Sequence, residues 1–249
     1  MVRDHPVFEP PEDINQKIWR YTDFTKFVDL LNSQSLFFNR SDKFDDVFEG
    51  SIPKTTAAIR DKQMLEQISS KRLHPRYSPD FWQNYGQKIK SEYGISCWHM
   101  NNHESAAMWK LYLKSNEGIA IQTTYKKLRE TLNSSDISIF IGTVKYIDYE
   151  TDIMDITNGF TQYLHKRQSF HHEQELRAIL TSHDADNTNK VDLSNGGQKV
   201  KIEIEDLIEN IYVSPESPKW LTDLVKDTVK QFGHTFNVIN SRLNDNPVF

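Results

Sequence analysis

The stretch Lys17–Asn39, reading KIWRYTDFTKFVDLLNSQSLFFN, decides the fold. Ile18-Trp19-Arg20-Tyr21 is a short apolar-aromatic run of strand type. Thr22-Asp23 supplies a side-chain cap, and Phe24, Phe27, Leu30 and Leu31 follow at the spacing that builds one apolar helix face. Leu36-Phe37-Phe38 opens a second short strand. No glycine-rich turn follows the first strand, so neither a Rossmann nor a P-loop unit is supported.

The same irregular alternation continues outward. Met1 to Asp13 is rich in proline and acid and reads as an extended arm. Arg40 to Gly50 is a polar loop dense in carboxylates. Ser51 to Glu92 reads as charged helix, broken near Pro75 and Pro79. Gly94–His99, Gly118–Thr123 and Ile137–Tyr149 read as strand, with helices over Glu104–Leu113 and Tyr125–Leu132. Asp152 to Gln168 reads as helix and leads into a strand ending at Leu180. Ser182–Gln198 reads as a flexible hairpin loop. Strands at Val200–Ile204, Ile208–Val213 and Phe236–Ile239 flank a last helix, Pro218–Phe232. The expected fold is α+β, a split, mostly antiparallel sheet with helices packed around it. The expected layout is an arm over residues 1–17 and one domain over 18–249.

Composition narrows the class. The chain has 249 residues, 37% of them hydrophobic, and a net charge of -5, so no global basic field draws it to nucleic acid or an anionic membrane. A local basic groove stays open. The single cysteine, Cys97, cannot form an internal disulfide, which fits a reducing cytoplasm. Cys97 lies in an apolar run and reads as a small core residue. No apolar run reaches the roughly 18 residues of a membrane-spanning helix, and Met1–Pro11 lacks the apolar centre of a signal peptide.

Four constellations carry candidate chemistry. Arg20, inside an apolar strand, either reaches water from a sheet edge or offers a fixed fork of donors to phosphate or carboxylate. Asp45, Asp46 and Glu49, interleaved with Phe44 and Phe48, shape an ordered loop; their spacing does not match a calcium loop, and no metal is expected. Ser96-Cys97-Trp98 precedes Glu104, Met108 and Tyr112, spaced to share a helix face with Trp109 one step round, so this face lines either a core or a cleft. Glu173-x-Glu175-x-Arg177 opens a strand, where alternation sets all three side chains on one face. Two like charges there raise one pKa unless a cation such as Arg177 intervenes. On an exposed face that pairing contributes only about 0–1 kcal/mol. In a cleft it serves acid–base work or holds a ribose hydroxyl. His165, His171 and His172 are poorly spaced for a chelate.

Taken in order, Trp19-Arg20-Tyr21, Leu36-Phe37-Phe38, the loop Phe44–Gly50, Ser96-Cys97-Trp98, Met108-Trp109-x-x-Tyr112, Gly118–Ile121 and Phe170-x-x-Glu173-x-Glu175-x-Arg177 resemble the bacterial domain-of-unknown-function family 2971. Val47 departs from the proline of that pattern. The opening strand, helix and strand also resemble the start of an ADP-ribosyltransferase fold, as in abortive-infection proteins and DarT-type toxins. That resemblance implies NAD as substrate, with Arg20 on the first strand holding it and a late glutamate, Glu175 or Glu173, completing the site. Ser96 stands where a middle serine would, without the Ser-Thr-Ser run. Tyr21, Trp98, Trp109 and Tyr112 are the aromatic candidates for stacking on the bases.

Three functions remain open from sequence. The first is a cytoplasmic NAD-utilising transferase or glycohydrolase, of toxin or phage-defence type by family analogy, with an unidentified macromolecular acceptor. The second is a non-catalytic module that binds a nucleotide or a protein. The third is a metal-dependent nuclease using Asp45, Asp46, Glu49 and Glu173. If Arg20 and Glu175 build one site, they must meet in one cleft.

Overall fold

The computed structural model describes residues 1–112 and 116–248. The expected helix over Glu104–Leu113 therefore ends outside the described residues. Twelve strands are described: β1 (Val2–Arg3), β2 (Lys17–Asp23), β3 (Ser35–Arg40), β4 (Tyr93–Met100), β5 (Gly118–Thr124), β6 (Ile139–Thr143), β7 (Lys145–Ile147), β8 (His165–Arg167), β9 (Glu175–Thr181), β10 (Gly197–Lys201), β11 (Asn210–Val213) and β12 (Asn237–Asn240). The helices are α1 (Phe24–Ser33), α2 (Lys54–Ser69), α3 (Pro79–Ile89), α4 (Ala106–Tyr112), α5 (Tyr125–Asn133), α6 (Ile204–Leu207) and α7 (Lys219–Gln231).

The fold is mixed α/β on a large, mostly antiparallel sheet. Its main path runs β1-β6-β9-β4-β2-β5-β11-β12, and only β1–β6 and β11–β12 pair in parallel within it. The deciding stretch folds as its pattern dictates. Asp23 caps α1 by accepting the Lys26 amide at 2.8 Å, and Phe27, Leu30 and Leu31 turn inward. Gln34, in the left-handed region at φ 45°, ends the helix and releases the chain into β3.

The sheet is split beside β4. β2 pairs with β4 only at Ile18↔Met100 and Trp19↔His99, whereas the other end of β4 pairs with β3 at Asn39↔Ile95 and Arg40↔Gly94. Two strands thus share one edge of β4 and diverge from each other. One face carries the largest core, in which Ile18, Trp98, Ile121, Leu176 and Ala178 pack with α1, α5 and α7 residues such as Phe27, Leu128 and Val225. The opposite face carries two smaller apolar clusters, one around Tyr93, Ile95, Tyr163 and Ile179, the other around Trp19, Tyr21, Met108 and Trp109.

Three local expectations differ. The amino-terminal segment is docked: Val2 and Arg3 pair with β6, and Phe8 is buried against Phe140. Residues 152–168 form turns, a 3-10 segment at Thr161–Tyr163 and β8 rather than a helix. There Asp155 and Asn158 accept the amides of Thr157 and Phe160, local bonds that compete with the helical ladder. The loop after β9 is pinned by buried Asn187, whose side chain bonds Ser138 on both its amide and carbonyl and reaches the Thr181 carbonyl.

Candidate functional site

Strand register determines which sequence-nominated residues can meet. Partnered residues in an antiparallel ladder project to the same face. Trp19 pairs with His99, His99 with Glu175, and Cys97 with Arg177. Tyr21, Trp19, Cys97, His99, Glu175 and Arg177 therefore share one face. Arg20, Ser96, Trp98 and Leu176 share the other. The single site expected from Arg20 and Glu175 does not form, because the sheet lies between them.

The face bearing Glu175 holds a buried charge cluster between its two apolar groups. Lys166, from β8, bonds Glu173 and lies 2.7 Å from Glu175 Oε1. Arg177 donates from Nε to Glu175 Oε2 at 2.6 Å and grips Glu49 through two nitrogens at 2.7 and 2.9 Å. Its Nη1 also reaches the Tyr163 carbonyl at 2.7 Å. Glu49, Lys166, Glu173, Glu175 and Arg177 are all buried, so the expectation of a weak, exposed ion pair is corrected. Removing one member of such a pair strands a charge and costs about 3–5 kcal/mol, against about 0–1 at a surface.

Glu173 is not on the strand. It ends a 3-10 segment, Gln168–Glu173, and Gln174 at φ 40° turns the chain so that β9 begins at Glu175. The His99 ring nitrogen Nδ1 donates to the Glu173 carbonyl at 2.6 Å, and the Tyr146 hydroxyl accepts the Glu175 amide at 2.8 Å. Both carboxylates are fixed by backbone anchors as well as by cations.

Three carboxylates face two cations, so full ionisation would leave one negative charge unmatched. Glu173 carries that imbalance. Burial, then the hydrogen bond and charge of Glu175, push its pKa up to about 7, against the pull of Lys166. Burial acts on Glu175 in the same direction, but the charge of Arg177, the hydrogen bond from Glu173 and the charge of Lys166 outweigh it and hold Glu175 well below the ordinary range. Lys166 stays protonated: burial lowers its pKa, and Glu175 and Glu173 more than restore it. Two adjacent carboxyls with pKa values driven apart are an acid–base arrangement.

Aromatic groups lead from this pair to the surface. The Tyr112 hydroxyl donates to Glu173 Oε1 at 3.3 Å, and Tyr112 itself is 45% exposed, which makes Glu173 the outward member of the pair. Tyr21 packs edge-on against Trp109 at 4.9 Å and near His99 at 6.2 Å. Its hydroxyl accepts the Ser105 amide, and Trp109 Nε1 donates to Glu104. The α4 residues are thus divided, Met108 and Trp109 buried and Tyr112 exposed.

The remaining nominees sort as follows. Arg20 donates to Ser96 Oγ and lies 5.7 Å from the Trp98 ring, on the far face. Asp46 accepts from Arg167 at 2.8 Å and from the Phe48 amide, Glu49 is held by Arg177, and Asp45 is exposed. Burial, with the nearby charge of Glu175, raises the Cys97 thiol. Among the described residues no group of three or more His, Cys, Asp or Glu is placed to hold a metal ion, and no helix is long and apolar enough to cross a membrane. Lys166 and Tyr146 are not among the residues the sequence nominates, and His99 stands there only as a base two residues from Cys97. The signal for Lys166 was the charge imbalance of Glu-x-Glu-x-Arg, which calls for a second cation.

Comparison with known proteins is sparse. No family model and no curated protein matches the chain, so the resemblance to family 2971 rests on motif order alone. Among solved structures, DarT of Thermus sp. 2.9 in complex with NAD+ aligns at 9% identity and TM-score 0.43, over 94% of this chain and 98% of that one. DarT of the same source in complex with ADP-ribosylated ssDNA aligns at 10% identity and TM-score 0.43, over 94% of this chain and 97% of that one.

Proposed function

We propose that the Glu173–Glu175 face performs glycosyl-bond chemistry on NAD, transferring or hydrolysing its ADP-ribosyl group. The observation that carries this reading is the buried glutamate pair itself, Glu173 and Glu175 sharing Lys166, with Glu175 also held by Arg177 and Glu173 bonded to the half-exposed Tyr112. Cleavage between nicotinamide and ribose builds positive charge on the sugar, and a fixed carboxylate beside it stabilises that state. The C1′–N bond breaks and its electron pair leaves with nicotinamide. Water or an acceptor hydroxyl then bonds C1′ and gives its proton to Glu173. Glu175 keeps the cations in place, and its charge keeps Glu173 basic enough to take that proton near neutral pH.

The fit is to the ribose end of NAD. Tyr112 offers exposed aromatic surface beside the carboxyls, backed by the buried pair Tyr21 and Trp109. Lys166 and Arg177 are committed to carboxylates, so neither is free for the pyrophosphate. The nuclease reading loses support, since Asp46 and Glu49 already hold Arg167 and Arg177. Incubating the protein with NAD labelled in the ADP-ribose part, with and without cell lysate as acceptor source, tests the reading. Free ADP-ribose or labelled macromolecule is expected. NAD bound but unchanged in both arms would favour the binding-module alternative and reject catalysis.

A further inference from the structure

The other face of the sheet holds a feature that this chemistry does not use. Where β2 and β3 diverge from β4, a cavity of about 280 Å³ opens, lined by Arg20 with Lys26, Lys199, Leu36, Phe37 and Ile121 among its walls. Arg20 spans the split. Its Nη1 donates to Ser96 Oγ at 2.8 Å, and its Nη2 donates to the Phe37 carbonyl at 3.0 Å. Both acceptors are uncharged. Among the described residues no carboxylate forms an ion pair with this guanidinium, and burial lowers its pKa with only Cys97 opposing. Asp29, the acid on the cavity wall, is paired with Lys199 at 2.6 Å.

The contrast with Arg177 is informative. On one face the fold supplies a buried guanidinium with two carboxylates; on the other it leaves one without any. A strut between strands needs only hydrogen bonds, and a neutral donor would serve. A positive charge half-withdrawn from water beside a cavity is suited to an anion that arrives from outside. The lining beside Arg20 includes the apolar side chains Phe27, Leu30, Leu36 and its cross-strand partner Ile121. The volume lies at the lower edge of the roughly 300–1,000 Å³ typical of small-molecule sites, room for one ring-sized body and short of a dinucleotide.

We propose that this cavity is a second binding site, separate from the glutamate face, for a phosphate or carboxylate group carried on an apolar body. Arg20 receives the charged group, and Leu36 with the α1 side chains Phe27 and Leu30 receives the body. The site does not depend on the NAD reading, and either can fail alone.

Calorimetric titration with phenyl phosphate, benzoate and phenol tests it. At least one anion is expected to bind about tenfold or more tightly than phenol, because a charge-assisted bond to Arg20 separates them. Preference between the two anions identifies the charged group. Arg20→Gln is expected to abolish that preference, while Glu173→Gln, on the other face, leaves it intact. Should Arg20→Gln melt far below the wild type, Thr22→Trp fills the cavity from β2 and is expected to block binding equally. Anion and phenol binding alike, no binding at millimolar concentrations, binding retained in the cavity variant, or binding lost in Glu173→Gln would each overturn the proposal.

Discussion

Replacing Glu175 with glutamine keeps its shape and removes one charge from the buried cluster. Glu175 lies 2.7 Å from Lys166 and 2.6 Å from Arg177, and all three are buried. Breaking such a pair costs about 3–5 kcal/mol when nothing replaces the charge. Here something can. Without Glu175, the two cations face Glu49 and Glu173 alone, and Glu173 can ionise fully. The sign follows from linkage. In the wild type Glu173 is raised from 4.5 to about 7, so the stability it contributes is complete below pH 4.5 and is lost as pH rises to about 7. At roughly 1.4 kcal/mol per pH unit that loss totals about 3 kcal/mol. In Glu175→Gln burial still raises Glu173, but the hydrogen bond and charge of Glu175 that add to it are gone, so part of the loss should vanish. The cost of the substitution is therefore expected to be near its full value at pH 5 and smaller by about 1–2 kcal/mol at pH 8. Urea unfolding of both proteins at pH 5, 6, 7 and 8 reads this directly, since groups common to both cancel in the difference. A difference that stays constant across the range would refute the shared-proton argument.

Three further outcomes follow from the same geometry. Glu49→Gln strands the fully buried Arg177 and should cost about 3–5 kcal/mol of unfolding free energy; a melt like that of the wild type would mean that Glu49 is dispensable. Gly50→Ala should cost about 1–3 kcal/mol, because Gly50 has φ 65° and an added Cβ would meet the Tyr163 ring at 2.6 Å; thermal denaturation checks it. Tyr112→Phe removes a long hydrogen bond from a half-exposed side chain, so stability should move by no more than about 0.5 kcal/mol while nicotinamide release from NAD falls.

Much of the fold was legible because its elements announce themselves locally. The β2-α1-β3 unit follows from an aromatic run, the Asp23 cap and the apolar spacing of Phe27, Leu30 and Leu31. Alternation grouped Glu175 with Arg177 on one face correctly. What sequence could not supply was parity between strands distant in the chain. Shifting β2 against β4 by one residue would bring Arg20 to the glutamate face and send Tyr21 away, and only the pairing Trp19↔His99 decides this. Burial was equally hidden. Glu-x-Glu-x-Arg reads as a surface pattern until Lys166 from β8 and Glu49 from the acidic loop close over it. Residues 152–168 misled for a local reason, since aspartate and asparagine side chains took the amides a helix would have needed.

The measurement that tests the central claim most directly is the rate of nicotinamide release from NAD by the wild type and by Glu173→Gln at pH 8, with thermal melts of both recorded alongside. At that pH Glu173 is largely ionised in the wild type, whereas glutamine can neither stabilise the developing sugar charge nor accept the acceptor's proton. A fall of about a hundredfold or more is expected, the scale on which a positioned electrostatic group acts, with the variant still folded. Equal rates from two folded proteins would contradict the account and place the reacting carboxylate elsewhere.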